Sequence, residues 1–232
     1  MLKTPTAVQG ADWAINLRLL LPATARLGNI YRSAAPDWRT PDLATPPGQM
    51  LWIDLRAVSE YRGLGNVPQG WDHLALDVMA AQSGSRATVE TGMAELASGE
   101  ISFGTIYCGL LNTAGAMFAE AVTAIARSEG DTVIACTAGR DRTGVLSTLL
   151  LSLAGTSHEH IVADYLRTNN AATALNSLVP TGTALDLTVR AADIEMALAH
   201  LGNLGGARRY LLDAGLAPEH LNAFLPASPL HA

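Results

Sequence analysis

The chain has 232 residues, 49% of them hydrophobic and only 5% aromatic, and its 15 basic against 21 acidic side chains leave a net charge of −6. That length suits one domain spanning 1–232 with an ample core, and the absence of a basic run or stripe argues against a protein that coats nucleic acid. Two cysteines make no disulfide framework, no stretch reaches the roughly 20 apolar residues of a membrane span, and the N-terminus lacks an apolar signal core, so a cytoplasmic protein is expected.

Residues 1–12 read as loosely ordered, and Arg26–Ala34 as an early hairpin strand. Prolines 36, 41, 46 and 47 mark a loop, after which Met50–Leu55 has the apolar run of a buried strand. Arg62–Gly70, with three glycines and a proline, reads as surface loop; the alternation of Leu74, Leu76 and Val78 predicts a strand over His73–Val78. A helix is expected through Val89–Ala97. A longer continuous one is expected over Ile106–Arg127, where Leu110, Ala114, Met117, Ala121 and Ile125 recur at helical spacing. Strand, tight loop and central helix follow at 132–154, with Gly155 suited to the helix C-terminus. Further helices are predicted at His158–Arg167, Ala184–Leu201, Leu204–Ala214 and Pro218–Phe224. Strands interleaved with helices imply an α/β fold: a mainly parallel central sheet flanked by helices, with extra helices at the C-terminal end.

The richest segment is Ala135-Cys136-Thr137-Ala138-Gly139-Arg140-Asp141-Arg142-Thr143-Gly144. The apolar residues Val133-Ile134-Ala135 lead in and Val145–Leu151 lead out, so the segment reads as buried strand, loop and helix N-terminus, an anion-binding geometry. Backbone amides converge in such a loop and the helix dipole adds about half a positive charge. A thiol in that setting is pushed toward thiolate. Cys136 is therefore the candidate nucleophile. Arg142 carries a planar fork that holds two phosphate oxygens, and an arginine set against a helix N-terminus calls for an anion. Thr137, Ala138, Gly139, Arg140, Thr143 and Gly144 complete the candidate phosphate-binding loop. A nucleotide-binding loop of similar shape needs Lys-Ser/Thr after its second glycine, whereas Val145-Leu146 follows Gly144.

On these residues the chain resembles the cysteine-dependent protein tyrosine phosphatase superfamily. Within it, the chain is most similar to the bacterial atypical branch that includes the secreted mycobacterial phosphatase B, whose loop runs His-Cys-x-x-Gly-Lys-Asp-Arg-Thr-Gly. Other stretches match in order: Asn16-Leu17-Arg18, Tyr31-Arg32-Ser33-Ala34, Ile53-Asp54-Leu55-Arg56 with Glu60, Asp164-Tyr165-Leu166 with Asn169, Gly205-Gly206, Tyr210-Leu211 and Gly215-Leu216. The resemblance implies a phosphomonoesterase acting on a phosphorylated protein or a small phosphate ester without cofactor or metal. It supports Asp141 as the general acid that protonates the leaving oxygen and then activates water; capping the central helix is the ordinary alternative, and Asp77 is the rival acid. Thr143 is read either as a donor to the cysteine sulfur or as a helix cap, and Arg140 either as a cation at the mouth or as solvated surface charge.

Two departures stand out. The family's His is Ala135 here and its Lys is Arg140. By resemblance that His organises the loop, so Ala135→His is expected to raise the rate if the enzyme is merely weakened. Three readings stay open: a phosphatase for phosphotyrosine-type substrates, one for a small metabolite such as a nucleotide or sugar phosphate, and a weakly active phosphate-binding module. Asp54, Arg56 and Glu60 read as structural, with Arg56 and Glu60 four apart and suited to an ion pair. The six histidines show no metal-site pattern, and His158 and His160 are two apart and share no helix face. The polar stretch Thr168–Gly182, within a helical region 156–203, is a candidate lid by analogy.

Overall fold

The computed structural model describes residues 14–35, 48–57, 60, 67–80, 94–96, 98–176 and 188–225. Five strands form one sheet in the order β1-β2-β5-β3-β4: β1 Arg18–Leu21, β2 Ile30–Ala34, β3 Met50–Asp54, β4 Trp71–Ala75 and β5 Asp131–Cys136. Every neighbouring pair is parallel except β1 with β2. The expected mainly parallel α/β sheet is thus present, and the early strand pairs antiparallel with β1, a segment the pattern of apolar residues does not mark.

β5 lies in the centre, buried from Thr132 to Cys136, and its alternation separates two apolar layers. Ile134 and Cys136 face the main core, which the helices cover. Val133 and Ala135 face a smaller cluster with Tyr31, Met50, Trp52 and Trp71. The predicted strand at His73–Val78 sits earlier, as β4. Beyond Ala75 one further bond, from the Leu76 amide to the Asp54 carbonyl (2.8 Å), continues the ladder before residues 78–80 turn away.

The helices are α1 Phe103–Thr113, α2 Gly115–Arg127, α3 Asp141–Leu153, α4 His158–Leu166, α5 Ala172–Asn176 (after a 3-10 turn at Arg167–Ala171), α6 Ala191–Asn203, α7 Gly206–Asp213 and α8 Pro218–Leu221. α3 is buried almost along its length, from Thr143 through Leu151, as its near-continuous apolar run requires. Among the described residues no single helix is long and apolar enough to cross a membrane. The helix expected through Val89–Ala97 falls mostly outside the described residues, with 94–96 helical.

Two predicted helices are corrected. The run Ile106–Arg127 is two helices bent by 77° at Ala114. The Tyr210 hydroxyl donates to the Leu111 carbonyl at 2.7 Å, the acceptor that the Gly115 amide would use in an unbroken helix. Gly115 admits this crossing, since a Cβ there would stand 3.3 Å from that hydroxyl and 3.2 Å from the Ala214 Cβ. The helix expected from Ala184 starts at Ala191 instead. Its approach is held extended by Asn169, whose side chain accepts from the Val189 amide (2.9 Å) and donates to the Val189 carbonyl (3.0 Å); residues 184–187 lie outside the described residues.

Candidate active site

β5 ends at Cys136, 1% exposed, and α3 begins at Asp141, so Thr137, Ala138, Gly139 and Arg140 form the turn between them. Among the described residues no side chain caps α3. The first bond into that helix runs from the Gly144 amide to the Arg140 carbonyl at 2.8 Å. Among the described residues, the amides of Thr137, Ala138, Asp141, Arg142 and Thr143 donate to no protein acceptor. Five uncommitted donors at a helix N-terminus beside a thiol suit a phosphate-sized anion.

The loop is braced from behind. Gly139 has φ +61, and a Cβ there would lie 2.3 Å from the Ser33 carbonyl carbon and oxygen. Asn16 donates to the carbonyls of Ala138 (3.2 Å) and Gly139 (3.0 Å), and Arg32 donates to the Gly139 carbonyl at 2.8 Å. Arg32 and Arg18 both pair with Asp164, at 2.6 and 2.8 Å, and Arg18 also bonds the Asn16 side chain. Burial alone would raise the Asp164 carboxyl, but Arg32 and Arg18 outweigh it and hold it below the usual carboxylate range. Arg18 is lowered to about 10 by burial and by repulsion from Arg32. Two guanidiniums on one carboxylate leave positive charge beneath an anion-binding loop. Gly139→Ala should therefore cost about 3 kcal/mol or more, summing left-handed strain with a backbone clash. Thermal melting checks this, with a fall of roughly 6–12 °C expected for a chain of this size.

Arg142 and Glu60 meet across the front. The Arg142 guanidinium donates to both Glu60 oxygens, Nη2 to Oε1 at 2.8 Å, and Nη1 also reaches the Leu55 carbonyl at 3.4 Å. Thr137 Oγ1 donates to Glu60 Oε1 at 2.6 Å. Burial opposes a charged Glu60, yet the Arg142 and Thr137 bonds prevail and its carboxyl lies below the ordinary range. Arg142 is likewise held charged despite burial, by Glu60 and by its nearness to Cys136. Glu60 takes the two Nη groups end-on and Nη2 also reaches Thr137 Oγ1 at 3.3 Å, whereas Nε donates to no described group and so stays available to an anion. The expected Arg56–Glu60 pair is replaced by two others. Arg56 instead pairs with the fully buried Asp54 at 2.6 Å, while Glu60 turns to Arg142.

Asp141, at the first turn of α3, accepts from Tyr107 Oη at 2.6 Å and from Arg140 Nε at 3.0 and 3.1 Å. Arg140 is 6% exposed with its guanidinium 4.2 Å from the Phe103 ring centroid, so the solvated-charge reading of Arg140 is overturned by burial. The rival Asp77 is half-buried and accepts from the Met79 amide at 3.1 Å, closing the turn after β4. Thr143 Oγ1 is buried without a hydrogen-bond partner among the described residues, so it neither caps α3 nor bonds the Cys136 sulfur. Cys108 and Cys136 are both free thiols, and the described residues hold no cluster of three or more metal-ligating side chains.

Ala135 is completely buried in the smaller apolar cluster, on the opposite face of β5 from Cys136. The expectation that Ala135→His raises the rate changes accordingly. An imidazole there must enter a space packed by Tyr31, Trp52 and Val133, and the expected result is a loss of about 1–3 kcal/mol by overpacking. Denaturant unfolding measures it; a variant as stable as the parent and faster in turnover would restore the first view.

In the sequence Glu60 reads as structural, and nothing marks Tyr107, whose place on an apolar helix face looks like that of any core tyrosine. Of the candidate lid Thr168–Gly182, residues 177–182 lie outside the described residues, and the near end is anchored: Thr168 is 2% exposed and accepts from Arg18 at 3.2 Å. In comparison with known proteins, the tyrosine phosphatase family matches the chain over residues 21–225, and no curated protein matches it.

Proposed function

The chain belongs to the tyrosine phosphatase family, which implies hydrolysis of phosphomonoesters, and from this we propose that it cleaves phosphotyrosine-type substrates through a phospho-cysteine intermediate in the manner of the bacterial atypical branch. The Cys136 sulfur attacks phosphorus, the bond from phosphorus to the leaving oxygen breaks, and Asp141 passes its proton to that oxygen. Water then attacks phosphorus while Asp141 takes its proton, the sulfur–phosphorus bond breaks, and inorganic phosphate leaves with the thiolate restored. The five uncommitted amides and the Arg142 Nε hold the three equatorial oxygens, whose charge rises in the transition state.

The observation that carries this reading is the set of uncommitted loop amides arrayed behind a buried cysteine, with an arginine fork held in place by a carboxylate. Ala135, where the family has histidine, gives a mere binding module little support, because its side chain belongs to the far face of β5, away from the loop. A small phosphorylated metabolite would be cleaved by the same chemistry, and a substrate panel separates the two classes. The first test is phosphate release from p-nitrophenyl phosphate in EDTA, for the chain beside Cys136→Ser. Turnover unaffected by EDTA and lost in the variant is expected; no turnover by the folded parent would sink the proposal.

A further inference from the structure

Helix α1 presents Phe103 and Tyr107, four residues apart and therefore on one face, to Arg140 and Asp141, the last residue of the turn and the first of α3. Tyr107 is fully buried and its hydroxyl lies 2.6 Å from Asp141 Oδ1 and 2.6 Å from the Tyr165 hydroxyl of α4. Each phenol has one proton. Tyr107 gives its own to Asp141, so Tyr165 donates to Tyr107, and the chain of bonds has one direction. The two rings meet edge-on at 6.0 Å, and Tyr165 is in turn pressed against the start of α3, where a Cβ on Gly144 would lie 3.3 Å from its ring. An apolar side chain would fill this space equally well. A buried phenol that donates to a carboxylate oxygen, backed by a second phenol that donates to it, does more than fill the space, because a buried hydroxyl without a partner costs about 1–3 kcal/mol and each of these has one.

We infer that Tyr107, held by Tyr165, is a positioning residue for Asp141, fixing the carboxyl where it meets the leaving oxygen. This rests on the assignment of Asp141 as the general acid. Arg140 Nε donates to both oxygens of the same carboxylate, so the carboxyl is fixed by donors from two elements and has little rotational freedom to lose when substrate arrives.

A purely packing role and a positioning role differ in leaving-group dependence. p-Nitrophenolate departs readily without protonation, whereas phenolate needs the acid. In Tyr107→Phe, kcat/KM for phenyl phosphate should fall about tenfold, a fraction of the 10²–10⁴ that acid catalysis contributes. For p-nitrophenyl phosphate it should fall less than about twofold, with inhibition by inorganic phosphate unchanged because the anion loop is intact. Equal falls for both esters, or none, overturn the inference. Asp141→Asn is the control. It should show the same contrast more strongly; if it shows none, the acid assignment itself fails and takes the inference with it. A contrast in Asp141→Asn with none in Tyr107→Phe overturns the inference alone. Should Tyr107→Phe fail to fold, Tyr165→Phe is measured instead, with a contrast of roughly threefold expected and its absence overturning the inference.

Discussion

Cys136→Ser should abolish phosphate release, by roughly 10⁴-fold or more, while leaving phosphate binding within about threefold of the parent. The two effects separate because they belong to different groups. Serine keeps the Cβ position and fits a site that is 1% exposed, so the packing against the core around Val145 changes little. The amides of Thr137, Ala138, Asp141, Arg142 and Thr143 are backbone groups that the substitution does not touch. What is lost is the nucleophile: an alcohol needs a base to become one, and the groups around this loop are arranged to stabilise negative charge rather than to remove a proton from a hydroxyl. The measurement is p-nitrophenyl phosphate turnover beside a phosphate titration followed by thermal shift. Retained turnover would move the nucleophile elsewhere. Loss of binding together with turnover would mean that the sulfur also holds the loop in shape.

The loop was legible in the sequence because what builds it is local: a short apolar strand, a glycine in the one turn position with positive φ, and the apolar run of the helix that follows. The parallel sheet was legible for the same reason, as β3 and β5 carry continuous apolar runs. The supports were hidden because they are remote. Glu60 reaches Arg142 across 82 residues, and the sequence offers a nearer cation, Arg56, at a spacing that favours pairing; Asp54 at the end of β3 claims that arginine instead. The break at Ala114 depends on a hydroxyl 99 residues from the Leu111 carbonyl it takes, and nothing in the helical periodicity of 106–127 marks it. The delayed start of α6 depends on a side-chain amide 20 residues upstream of Val189. Tyr107 is the sharpest case, because only its phenolic oxygen, and nothing in the spacing of its helix, tells it apart from a residue that merely fills the core.

Arg142→Lys should cost about 10²–10³-fold in kcat even though it preserves the charge. The positive field at the loop has sources besides Arg142, since Arg18 and Arg32 share the single carboxylate of Asp164 just behind Gly139. If charge alone bound the phosphate, a lysine at 142 would serve. The guanidinium does something a point charge cannot: it meets Glu60 with both Nη groups and reaches the Leu55 carbonyl and Thr137 Oγ1 while its Nε is left for an anion. An ammonium has three donors on one atom and must choose between Glu60 and the anion. With Glu60 held ionised by its present contacts, the lysine is expected to settle on the carboxylate and abandon the equatorial oxygens. Weaker inhibition by phosphate should then accompany the fall in kcat. The companion variant Glu60→Gln separates the two contributions: it removes the competing charge while leaving an acceptor, so it should lower kcat in the parent through looser Arg142 geometry yet partly restore phosphate binding to Arg142→Lys. Additive losses in the double variant would show that Glu60 and Arg142 act independently, and the account of a carboxylate holding the fork in place would fail.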